Sequence, residues 1–474
     1  MKNNKRTQWI VVAIVVIAIG GLAARRITGA PVLHDASQNL QMAINVSHHG
    51  VMSVDEKSPY QPSMYREPLP IAVTAIVVRV CDAVFGSTED RNYFSGARAH
   101  FIKLQNCVWL CLLWLTVFAA ARMFTESFLA AGVAATISLH PLLSETHINN
   151  LTTELPAAVL LVFASWILAR SVARNSVVLV AVAGVAFGLL ALAKAAFVYV
   201  VVAMAFCMLI PWIGRSKVAQ LRGRMWYPAL LLAGFALIAA PWMYRNLTTF
   251  GAFQIAERGG LAVYTRALMN QMSREEYRGS FYVWAPASLQ PELGRIFGFA
   301  PRDLDLGGRL QRLNEVAGSS VETIGSAAED AGRPEKAISF WRTGRAQREK
   351  LETEFAKEGN RHPDVIADHV MQSDGLRMIA HDLSDNTALT AAFVWRGGPL
   401  VFVFLVLGIV YSVLARRYTL SLFLLPGLLL FAIYALGADF LPRYAVMSEV
   451  PAAVACVVML QAVWRRHFWK GPTA

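Results

Sequence analysis

The chain has 474 residues, 55% of them hydrophobic, and a formal net charge of +12. Soluble domains average about 45–50% apolar residues, so this composition excludes an ordinary water-soluble enzyme. The basic residues sit in short clusters between apolar runs, where positive-inside topology accounts for them, so the charge does not point to nucleic acid.

The chain opens "MKNNKRTQWIVVAIVVIAIGGLAARR", a basic head and an apolar stretch. A cleaved signal peptide has this form, but the apolar runs that follow favour the first span of a polytopic protein. Such runs approach the ~18-residue length that crosses a hydrocarbon core of about 30 Å. Spans are read at 8–24, 104–121, 127–143, 155–170, 177–193, 195–213, 227–244, 398–415, 419–437 and 446–463. With these ten, the clusters "KNNKR", "AARMF", "ARSVARN", "GRSKVAQLRGR", "ARRY" and "RRHFWK" share one side, the cytoplasm, with both termini.

The run 68–86, "PLPIAVTAIVVRVCDAVFG", is almost long enough to span. Counting it would move five of the six clusters outside, and it carries Arg79 and Asp82, which are costly within a bilayer. It is therefore expected to lie along the interface as an amphipathic or re-entrant helix. That makes 25–103 one extracytoplasmic segment with surface-lying helices. A second extracytoplasmic region, 247–397, is rich in Arg, Glu, Asp and Gly and has no spanning run. Within it 333–359 reads as a helix, with Pro334 in the first turn and Gly359 at the end, and 370–395 as two more. The expected fold is an all-α polytopic membrane protein of about ten transmembrane helices. Its parts are 1–246 with the first loop, the mostly helical domain 247–397, and the closing helices 398–474. Cys81, Cys107, Cys111, Cys207 and Cys456 lie in apolar segments without zinc or disulfide spacing.

In a membrane protein, ionisable groups at span ends on one side are functional candidates. On this topology the extracytoplasmic face gathers Asp35, Tyr65, Arg66, Glu67, His140, Glu145, His147, Glu154, Lys194, Arg245, Asp439, Arg443 and Tyr444. Carboxylates can act as general bases or hold a metal, and the planar fork of arginine suits phosphate. Together they suit a site where a phosphate-bearing lipid meets a hydroxyl or amine acceptor. Plainer readings stand beside this one. Asp35 suits the N-cap of a short helix, Glu154 a helix N-terminus, and Arg66, Arg245 and Arg443 headgroup anchors. Lys194 in its very short turn could snorkel. The histidines 34, 48, 49, 140 and 147 lack a metal spacing.

The order of motifs carries a family likeness: Asp35 after the first span, "REPLP", a helix ending "VFG", "ISLHPLLSETHINNLTTELP", "GVAFGLLALAK", "PWMYRNLTTFGAF" and "RYAVMSEVP". It resembles the GT-C superfamily of membrane glycosyltransferases, specifically the bacterial relatives of dolichyl-phosphate-mannose protein mannosyltransferases, which include the lipid A aminoarabinose transferase. The resemblance covers most of the chain and is weakest over 255–370. It implies that Asp35 is the catalytic base and Glu154 a second acidic position at the fourth span. It places Arg245 in a "PW-x-x-RN" pattern and Arg443 in an "RY" before the last span. Donor-phosphate contact by Arg66, Lys194, Arg245 and Arg443 is inferred. Tyr65, Glu67, His147 and Tyr444 are substrate-site candidates. Some relatives have a Glu-Lys pair where this chain has Arg66-Glu67, and some have a second acid where it has Ala36.

The expected activity is inverting transfer of a sugar from a polyprenyl-phosphate donor to an extracytoplasmic lipid, glycan or protein, among membrane lipids and without nucleic acid. A divalent metal is left open as cofactor. Rival expectations are a flippase or transporter for a lipid-linked sugar, which would show repeated halves and broken helices at the midplane, and a non-catalytic envelope-assembly protein.

Overall fold

The computed structural model describes residues 4–209, 226–257, 259–314 and 339–467. Among these it has twenty α-helices and no strand. The chain divides into two compact units, one of 1–256, 400–430 and 446–474, the other of 257–399 and 431–445.

In the first unit the order is α1 (Asn4–Arg26), α2 (Asp35–His49), α3 (Pro68–Phe85), α4 (Gly96–Lys103), α5 (Gln105–Thr125), α6 (Phe128–Ile137), α7 (Glu145–Ile148), α8 (Glu154–Arg174), α9 (Val177–Ala193), α10 (Phe197–Met208) and α11 (Trp226–Phe250). The second unit holds α12 (Gly259–Met269), α13 (Arg274–Val283), α14 (Gln290–Phe297), α15 (Phe340–Lys357), α16 (Pro363–His381) and α17 (Leu383–Arg396). Three closing helices follow: α18 (Pro399–Leu414), α19 (Tyr418–Gly437) and α20 (Pro442–His467).

Among the described residues, seven helices are long and apolar enough to cross a membrane, or eight if α17 and α18 count as one. α1 exposes Trp9, Ile10, Ile14 and Ile17, the side chains a lipid-facing helix presents. The span expected at 127–143 is a ten-residue helix, because the chain leaves α6 for a 3₁₀ turn at Pro141–Leu143 and then α7. The apolar stretch 177–213 is broken at Lys194, whose extended backbone (φ −154°, ψ 106°) ends α9. Residues 210–213 and the cluster "GRSKVAQLRGR" lie outside the described residues. α3, expected on the interface, passes the length and composition test for a span. In the second unit the helix expected over 333–359 begins at Phe340, where the Ser339 hydroxyl accepts from the Arg342 N–H. Pro334 falls outside the described residues, and Gly359 closes the helix at φ 79°.

The first unit is built on close helix packing. α9 runs along α11, and of the glycines in its "GVAFG" stretch Gly184 meets Gly234 while Gly188 meets Phe235 and Ile238. A Cβ on Gly184 would strike the Leu231 carbonyl oxygen and lie 3.0 Å from the Gly234 α-carbon. Small residues four apart let two apolar helices approach until their backbones touch, where packing rather than hydrophobicity holds membrane helices together. α8 packs on α9, and α5 packs on α1, α6 and α8.

Candidate functional site

The stretch from Ile27 to His34 leaves α1 and aims α2, and four clamps hold it. The Asn149 Oδ1 accepts from the Thr28 N–H at 2.7 Å, and its Nδ2 donates to the Arg26 carbonyl at 2.9 Å. The buried Lys103 ammonium donates to the Ala30 carbonyl at 2.6 Å. The Gly96 N–H donates to the Gly29 carbonyl at 2.8 Å, and the Val32 N–H to the Phe94 carbonyl at 2.9 Å. At the end of the stretch, His34 has φ 55°. A non-glycine residue there costs of order 1–3 kcal/mol and persists where the surroundings over-determine it.

α2 then starts at Asp35, and His34 is its N-cap. The capping reading of Asp35 is thus corrected by one position: the His34 backbone carbonyl takes the Ser37 N–H and hydroxyl, and the Asp35 carboxylate sits in the first turn. α2 buries apolar side chains on two sides. Leu40 and Ile44 join Val78, Tyr93 and Ile102, while Met42 and Ala43 join Ile71, Ala75 and Trp242. At its far end Gly50 (φ 70°) closes the helix, and His48 Nε2 lies 3.0 Å from the Asp82 carboxylate. The Tyr93 hydroxyl also binds Asp82, and burial with that bond pushes its pKa up to about 12. Asp82, which looked costly in an apolar run, is thus a partnered group tying α3 to α2.

The Asp35 Oδ1 lies 2.5 Å from Arg66 Nη2, and the same guanidinium nitrogen binds the Gln38 side-chain carbonyl oxygen. Arg66 is buried and stands 5.3 Å over the Tyr65 ring. Its Nε is buried with no hydrogen-bond partner among the described residues. An unmet buried donor is costly.

The next residue, Glu67, is the N-cap of α3, ahead of Pro68. Its Oε1 accepts from the Ala195 N–H at 3.3 Å. Beside Ala195, the Lys194 ammonium donates to Thr153 Oγ1 at 3.1 Å and pairs with Glu154 Oε1 at 3.2 Å. Glu154 opens α8, and both members of the pair are buried. The consecutive residues Arg66 and Glu67 thus connect Asp35 to the Glu154–Lys194 pair.

Arg245 has a different set of neighbours. Its Nη1 donates to Asn246 at 2.8 Å, and its guanidinium lies 4.8 Å over Trp242 and 5.0 Å over Phe250. Trp242 packs against the α2–α3 cluster, so Arg245 is one side chain removed from it. His147 is buried on α7, where Asn106 donates to the Ile148 carbonyl at 3.0 Å. Arg443 and Tyr444 belong to the second unit, with the Arg443 guanidinium 5.4 Å over the Tyr444 ring and Tyr434 stacked on Tyr444. In that unit Asp439 is buried against Arg396 at 2.8 Å.

Sequence reasoning missed Gln38, Thr153, Lys103 and Asn149. Gln38 alone carried a usable signal, because it lies three residues from Asp35 on one helix face. Among the described residues no group of three or more His, Cys, Asp or Glu is placed to hold a metal ion. The carboxylate of Asp35 meets a guanidinium rather than the several oxygens a hard cation takes, so no step below is routed through a metal.

No protein-family model and no curated protein sequence matches the chain. Among solved structures, it is similar to the oligosaccharyltransferase of Archaeoglobus fulgidus in complex with zinc and sulfate, at 16% identity and a TM-score of 0.47, over 95% of this chain and 50% of that one. The archaeal oligosaccharyltransferase AglB from Archaeoglobus fulgidus, in complex with an inhibitory peptide and a dolichol-phosphate, gives 15% identity and a TM-score of 0.44, over 98% and 52%. ArnT from Cupriavidus metallidurans bound to undecaprenyl phosphate gives 15% and 0.39, over 97% and 78%. The chain spans about half the length of the archaeal chains it matches.

Proposed function

We propose that the protein is a GT-C-type membrane glycosyltransferase that moves a sugar from a polyprenyl-phosphate donor to an acceptor hydroxyl or amine, with Asp35 as general base. The observation that carries this reading is the Asp35–Arg66 pair at the head of a clamped helix, with the buried Arg66 Nε still lacking an acceptor. The order of motifs along the sequence supports it independently.

In this mechanism the donor phosphate takes the open capacity of Arg66, and Arg245 is a second cation within reach of the α2–α3 cluster. The acceptor oxygen or nitrogen attacks the anomeric carbon from the face opposite the phosphate. Its proton passes to the Asp35 carboxylate. The sugar–phosphate C–O bond breaks, and its electron pair leaves on the polyprenyl phosphate. One displacement inverts the anomeric configuration. Charge developing on the leaving phosphate meets cations fixed beforehand, which is where preorganised electrostatics lower a barrier most. The Glu154–Lys194 pair fixes the α9–α10 break, and Glu67, the residue following Arg66, accepts from its Ala195 N–H. Both termini lie in the cytoplasm and the site faces the other side.

Purified protein incubated with polyprenyl-phosphate-linked sugars and acceptor lipids is expected to release polyprenyl phosphate and give a product of inverted configuration. A retained configuration would overturn the single displacement. Mass analysis of surface glycolipids and glycoproteins after gene deletion is expected to find one sugar missing.

A further inference from the structure

The second unit contains a cavity of about 410 Å³ between α13, the end of α12 and the start of α17. Its volume falls within the ~300–1,000 Å³ of small-molecule sites, which pair an apolar wall with a few placed polar groups. Here Met269 and Leu389 supply apolar wall, and Asn270, Arg274, Tyr277 and Asp385 supply polar groups.

Asn270 is nine-tenths buried. Its Oδ1 accepts from Arg266 Nη1 at 2.7 Å, and Arg266 is itself fixed by the Asn386 carbonyl at 2.9 Å and by the Phe393 ring. The amide is thereby held in one orientation, with its Nδ2 buried and without a partner among the described residues. Asn270 is thus a rigid part of the cavity lining, its amide nitrogen enclosed by protein. Tyr277 is fixed too, its hydroxyl donating to the Ala388 carbonyl at 3.1 Å, so its ring cannot swing away. Arg274 is exposed, with no hydrogen bond or ion pair among the described residues. Arg278, four residues on and on the same helix face, also lines the cavity. Two guanidinium groups against the single carboxylate of Asp385 give the lining an excess of positive charge.

We propose that this cavity binds an anionic sugar, one bearing a carboxylate or phosphate, as the acceptor saccharide; the acceptor role rests on the glycosyltransferase reading above. Ring hydroxyls donate to Asp385, an apolar sugar face lies on Tyr277, and the acidic group meets Arg274, whose planar fork binds oxygens in pairs.

The test uses the full-length protein in lipid nanodiscs and measures binding of three probes by titration calorimetry: digalacturonic acid, glucosamine 6-phosphate and neutral maltose. At least one anionic probe is expected to bind at least tenfold tighter than maltose, and the preferred one tells carboxylate from phosphate. Arg274→Glu, an exposed substitution, should weaken that probe at least tenfold and leave polyprenyl-phosphate binding unchanged. Equal affinity for maltose, or an Arg274→Glu protein that binds the anionic probe as wild type does, would overturn the site. Anionic-sugar binding by a protein that never turns over donor lipid would remove the acceptor role and leave the sugar site standing. Donor turnover without sugar binding would do the reverse.

Discussion

Replacing Lys194 by methionine tests whether the α9–α10 break is held by its ion pair. Glu154 is only 3% exposed, and its carboxylate lies 3.2 Å from the Lys194 ammonium. At an effective dielectric of about 20 that separation corresponds to roughly 5 kcal/mol of attraction. Removing one partner of a buried pair costs about 3–5 kcal/mol, because a buried charge is left uncompensated. Lys194→Met should therefore lower thermal stability by several degrees in a fixed detergent at a fixed scan rate, followed by intrinsic fluorescence. The double variant Lys194→Met, Glu154→Gln should recover most of that loss, since replacing both charges removes the unpaired one. The double-mutant cycle should give a coupling energy above about 1 kcal/mol. A Lys194→Met protein within ~0.5 kcal/mol of wild type, the range of ordinary surface substitutions, would refute the reasoning, because the pair would then be solvated.

Other substitutions probe the supports of the site. Gly184→Ala puts a Cβ against the Leu231 carbonyl, and overpacking of this kind costs about 1–3 kcal/mol, so the thermal midpoint should fall although the change adds one methyl group. Asn149→Ala removes the clamp on Thr28 and Arg26; donor turnover should fall with donor affinity unchanged, while a fall in affinity alone would separate the clamp from Asp35. In the second unit, burial pushes the Glu257 carboxyl up to about 8, with Asp364 and Asp368 adding to the rise and Arg348 opposing it. A folded pKa raised above the unfolded 4.5 means the native state binds more protons in between. That contribution to stability is full below the unfolded value and is lost as pH rises to about 8. The thermal midpoint of the wild type should thus drop across this window relative to Glu257→Gln, and parallel profiles would contradict it.

The composition made the all-helical membrane character legible, and the place of Asp35 after the first apolar helix was legible too. The length of each span was not. The break at Lys194, between the spans read at 177–193 and 195–213, was legible, but its partner Glu154, 40 residues earlier, was not. Similarly, α3 looked too polar at its end because Asp82 and its partners His48 and Tyr93 are far apart in sequence. The reversed order Arg66-Glu67 was visible, but not that the two side chains face different neighbours, Asp35 and the α9–α10 break. Asn149 and Lys103 were invisible for the same reason. Both act on backbone carbonyls more than 70 residues away, which no local pattern records.

The central claim is that Asp35 accepts the acceptor proton. The measurement that meets it most directly is the single-turnover rate of Asp35→Asn with purified polyprenyl-phosphate sugar, taken beside donor binding. General-base assistance is worth about 10²–10⁴-fold, so transfer should fall by at least a hundredfold while the variant folds and binds donor lipid as before. Turnover by Asp35→Asn at the wild-type rate would contradict the assignment.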